Sequence, residues 1–251
     1  MAGELRRIKV IVPIPMDEAG VANRASQLPD HLVEDGFEVD FVAVAWGASL
    51  GDSYYDTLLM DMSVFEAGLK AQEEGYSAVC IDTVSDSGLY ALRSKLDIPV
   101  VAPGQAALYT ACMLGHKFSI ITMWDEWFAL YNKILTDYKL HERCASLRSI
   151  KTRPDVKELL DGKEEVIFDK LKRESIAAIE QDGADVIVLG STTMHQSHAY
   201  LAEELDVPVI NPGQISYKLC ETLLALNLTH SKKAFPSPQQ ANDDAVLSRG
   251  N

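Results

Sequence analysis

The chain is short of basic residues. Among 251 residues, 23 Lys and Arg stand against 37 Asp and Glu, and the formal net charge is -14. A charge of this sign repels nucleic-acid phosphates and anionic lipid, so we expect neither nucleic acid nor a membrane surface as a partner. A small anionic substrate remains compatible with this charge, because the N-terminus of a single helix can attract it locally.

Long apolar runs are also lacking. No stretch approaches the roughly 20 apolar residues that are needed to cross a bilayer. The N-terminal residues do not show the basic, apolar and small-residue order of a signal peptide. We therefore expect a cytoplasmic protein.

Signatures of metals, disulfides and nucleotides are missing as well. The cysteines are few and widely spaced, and no two of them form a C-x-x-C pair; they are Cys80, Cys112, Cys144 and Cys220. This spacing predicts buried apolar side chains rather than a disulfide framework or a zinc site. Neither G-x-G-x-x-G nor G-x-x-x-x-G-K-[ST] follows a strand-like segment. The sequence thus predicts no metal and no cofactor.

The chain does contain an internal repeat. The first half reads GYSAVCIDTVSDSG and then LDIPVVAPGQ, and the second half reads GADVIVLGSTTMHQ and then LDVPVINPGQ. Thr83 matches Ser191, which lies 108 positions later. A duplicated unit of strand, loop, helix and strand predicts two similar lobes with a crevice between them, and it puts Thr83 and Ser191 at equivalent positions on the two walls.

Short apolar runs alternate with helical patterns, as in parallel strands that are covered on both faces. The predicted strands are 8–14, 37–44, 78–82, 98–102, 118–122, 144–150, 185–190 and 207–211. The predicted helices are 21–35, 55–75, 87–96, 104–115, 125–139, 163–182, 196–205 and 214–227. This order predicts an α/β protein with two pseudo-symmetric, doubly wound parallel-sheet lobes and an active site in the cleft between them.

The repeat also predicts the domain organisation. We expect the first lobe to comprise residues 1–105 plus 212–229 and the second to comprise residues 106–211. Residues 230–251 lose the apolar period and gain Pro, Gln, Asn and Ser, which predicts a flexible C-terminal tail.

Several phrases in combination resemble a known family. They are LGHKFSIIT, RCASLRSI, DGADVIVLG and the two D-[IV]-P-V segments. Over residues 6–230 the chain resembles the aspartate/glutamate racemase superfamily and, within it, is most similar to hydantoin and allantoin racemases. The resemblance implies a cofactor-independent isomerase, usually a homo-oligomer, that acts on a small molecule at the carbon beside a carboxyl or cyclic imide carbonyl.

Members of this family typically carry one cysteine in each loop, and these two positions fall on Thr83 and Ser191 here. An alkyl hydroxyl is far less acidic than a thiol and needs a neighbouring base before it takes part in proton transfer or attack. Three hypotheses therefore stay open. The first is a racemase or isomerase. The second is a cyclic-amide hydrolase or decarboxylase that uses Ser191 or Thr83, and the third is a non-catalytic relative that binds a small molecule.

The candidate catalytic residues are Thr83, Ser191 and His195. Both hydroxyls follow predicted strands, at the edge where ligands bind in such sheets. His195 follows Ser191 closely, and an imidazole that titrates near neutrality can activate a hydroxyl. Helix capping is the alternative role for the two hydroxyls, and an exposed position on a helix is the alternative for a histidine.

The candidate substrate-binding residues lie in the same predicted loops. Polar residues open helices in both loops, so free backbone N–H groups there could hold a carboxylate or an imide oxygen, although helix capping without a ligand would also explain these residues. Aromatic groups can form the wall of a pocket, although core packing would explain them equally well. These candidates are Pro13, Ser85, Asp86, Ser87, Thr192, Thr193 and Trp124.

Overall fold

A computed structural model describes residues 5–154 and 164–247 of the chain. The ends of the predicted first lobe and tail, at 1–4 and 248–251, lie outside the described residues, as does position 163 of one predicted helix. The chain forms two compact units, Met1–Ala102 with Ser216–Asn251 (unit 1) and Pro103–Ile215 (unit 2).

Unit 1 contains a four-stranded parallel sheet in the order β2-β1-β3-β4. Its strands are β1 (Arg6–Val12), β2 (Phe37–Ala43), β3 (Ala78–Ile81) and β4 (Val100–Val101). Its helices are α1 (Glu18–Ala25), α2 (Tyr54–Gly68) and α3 (Leu89–Lys95).

Unit 2 repeats this order, with a parallel sheet that runs β6-β5-β7-β8. Its strands are β5 (Phe118–Thr122), β6 (Cys144–Ser149), β7 (Val186–Leu189) and β8 (Val209–Ile210). Its helices are α4 (Pro103–Leu114), α5 (Phe128–Tyr138), α6 (Glu164–Asp182) and α7 (His195–Glu204). α8 (Pro212–Ala225) begins in unit 2 and continues into unit 1, which also holds α9 (Asp244–Leu247).

Two parallel sheets with flanking helices confirm the predicted α/β class. The central strands β3 and β5 are buried along their whole length. Continuous apolar runs are required there because helices cover both faces of a parallel sheet. In the described ranges, no helix is long and apolar enough to cross a membrane.

Proline sets several boundaries that the apolar pattern misplaced. β1 ends at Val12, before Pro13, which has no N–H to donate to a neighbouring strand. The helix predicted over 21–35 is instead α1 followed by a single 3-10 turn at Asp30–Leu32. Pro29 precedes that turn and disfavours a helical conformation for the residue before it.

α2 was predicted to continue to Gly75 and instead ends at Gly68. Gly68 allows close packing, because a Cβ there would lie 2.7 Å from a methyl group of Leu92 and 3.0 Å from one of Ile11. Gly75 ends the turns that follow, with a φ of +84° that favours glycine.

The described part of the predicted flexible tail makes specific contacts with α3. Lys232 Nζ donates to three carbonyl oxygens at the end of this helix, those of Arg93, Ser94 and Leu96, at 2.7–3.2 Å. The ring of Phe235 lies 5.6 Å from that of Tyr90. These contacts involve one lysine at a helix end and one aromatic pair. They produce no periodic apolar pattern, so the sequence pattern did not predict them.

Candidate functional site

A row of hydroxyl groups follows β3 in unit 1. The hydroxyl of Thr83 lies 2.9 Å from that of Ser85, which lies 2.9 Å from that of Ser87. Ser87 is fully buried, whereas Thr83 and Ser85 are partly exposed. The row therefore runs from the partly exposed end of the strand into the interior of the unit.

The backbone of this loop is held by its own hydrogen bonds. The N–H of Asp86 donates to Thr83 O at 3.0 Å, and the N–H of Gly88 donates to Asp61 Oδ1 at 2.9 Å. Asp86 and Gly88 both adopt positive φ, at 55° and 74°. We expected free N–H groups here that could hold an oxyanion. Two of these donors are therefore already occupied by acceptors of the chain itself.

Asp82 anchors the start of the same loop. Its carboxylate lies 2.6 Å from Arg24 Nη2, and the two side chains are only 10% and 12% exposed. Arg24 also donates to the backbone oxygen of Asp82 at 3.0 Å. Asp82 therefore ties α1 to the end of β3, directly before Thr83.

The equivalent loop of unit 2 repeats this arrangement after β7. The hydroxyl of Ser191 lies 2.8 Å from that of Thr193, and the N–H of Thr193 lies 3.3 Å from Ser191 Oγ. The corresponding N–H in unit 1, that of Ser85, lies 3.5 Å from Thr83 Oγ1. The internal repeat thus preserves a hydroxyl pair together with its backbone contact.

The two loops differ at the third position. Ser87 of unit 1 corresponds to His195, so unit 2 carries an imidazole where unit 1 carries a hydroxyl. Gln214 Nε2 donates to His195 Nδ1 at 2.9 Å, which puts the proton of a neutral ring on Nε2. If the Gln214 amide turns over, its oxygen accepts from Nδ1–H and frees Nε2 to accept a proton. Gln214 can therefore support either tautomer.

Sequence reasoning predicted a helix that starts at residue 214 but did not single out Gln214 as a site residue. It also missed Asn211, whose Oδ1 accepts from the N–H of Gly213 at 3.0 Å and from that of Gln214 at 3.3 Å. The sequence signal for Asn211 as a helix cap was its position directly before a Pro at a helix start, which is a favoured N-cap pattern.

The remaining predicted substrate-binding residues differ in burial. Pro13 is buried directly after β1, and Thr192 is buried between the hydroxyls of its loop. Trp124 follows β5, is half-buried and packs against the apolar core of unit 2, with the guanidinium of Arg153 5.7 Å from its ring centre. The contacts described for Trp124 are thus with the core and with Arg153, and its place in a substrate pocket stays a prediction.

Three cysteines are poor acids here. Burial raises the pKa of Cys144 to about 11, and it also raises the pKa values of Cys112 and Cys220. Cys144 begins β6, at the opposite end of the sheet from the hydroxyl loop. Cys80 lies within β3, and its sulfur is 3.4 Å from Ser216 Oγ. Across residues 5–154 and 164–247, no three His, Cys, Asp or Glu side chains are grouped to hold a metal.

Two parallel α/β units, each with a hydroxyl pair after the third strand along the chain, define a duplicated enzyme fold. The family model described as Asp/Glu/hydantoin racemase matches residues 21–220, and the chain belongs to that family. A hydantoin racemase from Pseudomonas sp. (strain NS671) is 30% identical over 216 residues, which cover 84% of this chain and 86% of the relative.

Solved structures agree with this assignment. The allantoin racemase from Klebsiella pneumoniae is 28% identical, with a TM-score of 0.86 over 96% of this chain and 98% of that one. The allantoin racemase from Pseudomonas fluorescens is 26% identical, with a TM-score of 0.85 over 94% of this chain and 98% of that one. The resemblance inferred from the sequence phrases is therefore confirmed at the level of the family.

Proposed function

We propose that this protein is a cofactor-independent isomerase that racemises a small molecule at the carbon beside a cyclic imide carbonyl, as in a hydantoin ring. The repeated hydroxyl pair is the observation that carries the proposal. It lies at the carboxyl end of the third strand along the chain in each unit, where parallel α/β sheets bind their ligands. Thr83, Ser191 and His195 are the proposed catalytic residues.

The chemistry needed is removal and return of one proton. A proton beside an imide carbonyl is acidified, because the charge left behind spreads onto the carbonyl oxygen. His195 supplies an imidazole that can take part in proton transfer, and its contact with Gln214 holds the ring in place. Ser191 and Thr83 would carry or orient the proton, since neither hydroxyl is acidic enough to act without a neighbouring base.

The hydroxyls at these two positions favour a second candidate function, a cyclic-amide hydrolase or decarboxylase. In the hydrolase form Ser191 would attack a ring carbonyl with His195 as its base. In the described chain Ser191 Oγ lies 2.8 Å from Thr193 Oγ1 and either hydroxyl can donate, so this route requires Thr193 to be the donor and the Ser191 proton to point to its base.

Product analysis on enantiopure allantoin and a 5-substituted hydantoin separates these functions. Racemisation predicts decay of optical rotation with the ring intact, whereas hydrolysis predicts a ring-opened acid. Ser191→Ala should lower the rate at least about tenfold if this hydroxyl takes part in proton transfer. Thr136→Ala, on the exposed face of α5, is the matched control. An undiminished rate in Ser191→Ala would remove Ser191 from the mechanism.

A further inference from the structure

In the side-chain amide of Asn211 the oxygen is hydrogen-bonded and, among the described residues, the nitrogen is not. Its Oδ1 accepts two backbone N–H groups at the start of α8, those of Gly213 and Gln214. Because two donors point at the same atom, that atom must be the oxygen, and the orientation of the amide is fixed. Nδ2 is therefore directed away from the helix.

Nδ2 is a buried donor without an acceptor. Asn211 is 3% exposed, and within the described ranges its Nδ2 has no hydrogen-bond partner. A buried polar group that has lost water and gained nothing in exchange costs free energy, so such groups are rare in native proteins. One explanation is that an acceptor from outside the chain completes the site.

The side chain of Asn211 lies beside the hydroxyl loop of unit 2. A Cβ on Gly213 would lie 3.4 Å from both Asn211 Oδ1 and Thr192 Cβ, so the amide and the loop are close neighbours. Gln214 joins them a second time, since its N–H donates to Asn211 and its side chain donates to His195 Nδ1. Asn211 also directly follows β8, at the ligand-binding edge of the sheet.

We infer that Asn211 Nδ2 donates a hydrogen bond to a carbonyl or carboxylate oxygen of the substrate. This inference rests on the proposed function and adds a specificity-determining residue to it. A neutral amide donor suits an imide oxygen, because it needs no counter-charge. An amide whose orientation is already fixed by its helix cap loses little further freedom when it binds.

The test uses Asn211→Asp, which has nearly the same shape. Asp is as good an N-cap as Asn, so the cap of α8 is kept while the donor becomes an acceptor. Asn132→Asp, on the exposed face of α5, makes the same change of charge in the same unit and is the control. We expect N211D to lower kcat/KM for allantoin or a 5-substituted hydantoin about 10- to 100-fold and N132D to match the wild type.

Binding is measured separately by titrating the wild type, labelled with ¹⁵N at asparagine, with the same compounds. The amide signal that is missing in N211D should shift, and the signal that is missing in N132D should not. If N211D proves unstable, Asn211→Ser, which also caps helices, assigns the signal.

Each outcome decides something. Turnover in the wild type with N211D within twofold of N132D and an unmoved Asn211 signal would overturn the inference and leave the proposed function in place. A shifted signal without any turnover would support the binding role and remove the function. No turnover and no shift would overturn both.

Discussion

Asp82→Asn should destabilise unit 1 strongly, because it removes the carboxylate that pairs with the buried guanidinium of Arg24. The two groups lie 2.6 Å apart with side chains 10% and 12% exposed. Breaking a buried ion pair by removing one member costs about 3–5 kcal/mol. Arg24 keeps its bond to the backbone oxygen of Asp82, so we expect the lower end of this range, about 3 kcal/mol.

The control is Asp40→Asn, which carries the same change on a more exposed pair. Asp40 lies 2.5 Å from Arg7, with side chains 32% and 37% exposed. Solvent screens such pairs, so the midpoint of unfolding should stay near that of the wild type.

Urea unfolding followed by circular dichroism measures both variants. A loss of about 3 kcal/mol is a factor of more than 100 in the folding equilibrium and moves the midpoint by about 1–3 M at an unchanged slope. The reasoning is refuted if Asp82→Asn costs no more than Asp40→Asn.

Three further predictions concern unit 2. Burial lowers the pKa of His198 in the folded chain, so as the pH falls below about 6.5 the unfolded chain takes up a proton before the folded chain does, and stability should fall. Between pH 7.5 and pH 5 the Tm of His198→Gln should therefore fall less than that of the wild type. An equal fall in the two proteins would contradict this. Cys144→Ala should racemise substrate at a rate within twofold of the wild type, because burial raises the pKa of this thiol to about 11. A large loss of activity would contradict the proposal that the hydroxyl loops carry the chemistry. Gly190→Ala should lower the free energy of unfolding by about 1–3 kcal/mol, since its Cβ would lie 2.7 Å from Thr122 Cβ. In Gly213→Ala the new Cβ meets only ordinary contacts, so this variant should be tolerated. Equal unfolding midpoints for the two variants would contradict the packing argument.

The fold was predictable from the sequence because its signals are local. Continuous apolar runs mark buried parallel strands, and β5 begins and ends at the predicted residues, 118 and 122. Errors occurred where one residue overrides a periodic pattern, as at Pro13 and Pro29. The contacts of Lys232 with the end of α3 could not be predicted, because a single capping lysine has no period.

The candidate site was only partly predictable. The repeat located Thr83 and Ser191, since duplicated sequence implies equivalent backbone positions. It could not report that each hydroxyl bonds to a second hydroxyl two residues on. The pairing of His195 with Gln214 joins two segments that are 19 residues apart and depends on how α7 and α8 pack, which no local pattern encodes.

The most direct test of the account follows solvent deuterium into enantiopure 5-substituted hydantoins and allantoin by proton NMR, with a buffer blank for spontaneous exchange. The account predicts that the wild type replaces the hydrogen beside the ring carbonyl faster than the blank while optical rotation decays. His195→Gln should slow both processes together. Exchange no faster than the blank across the panel would contradict the central claim that this chain moves a proton at such a carbon.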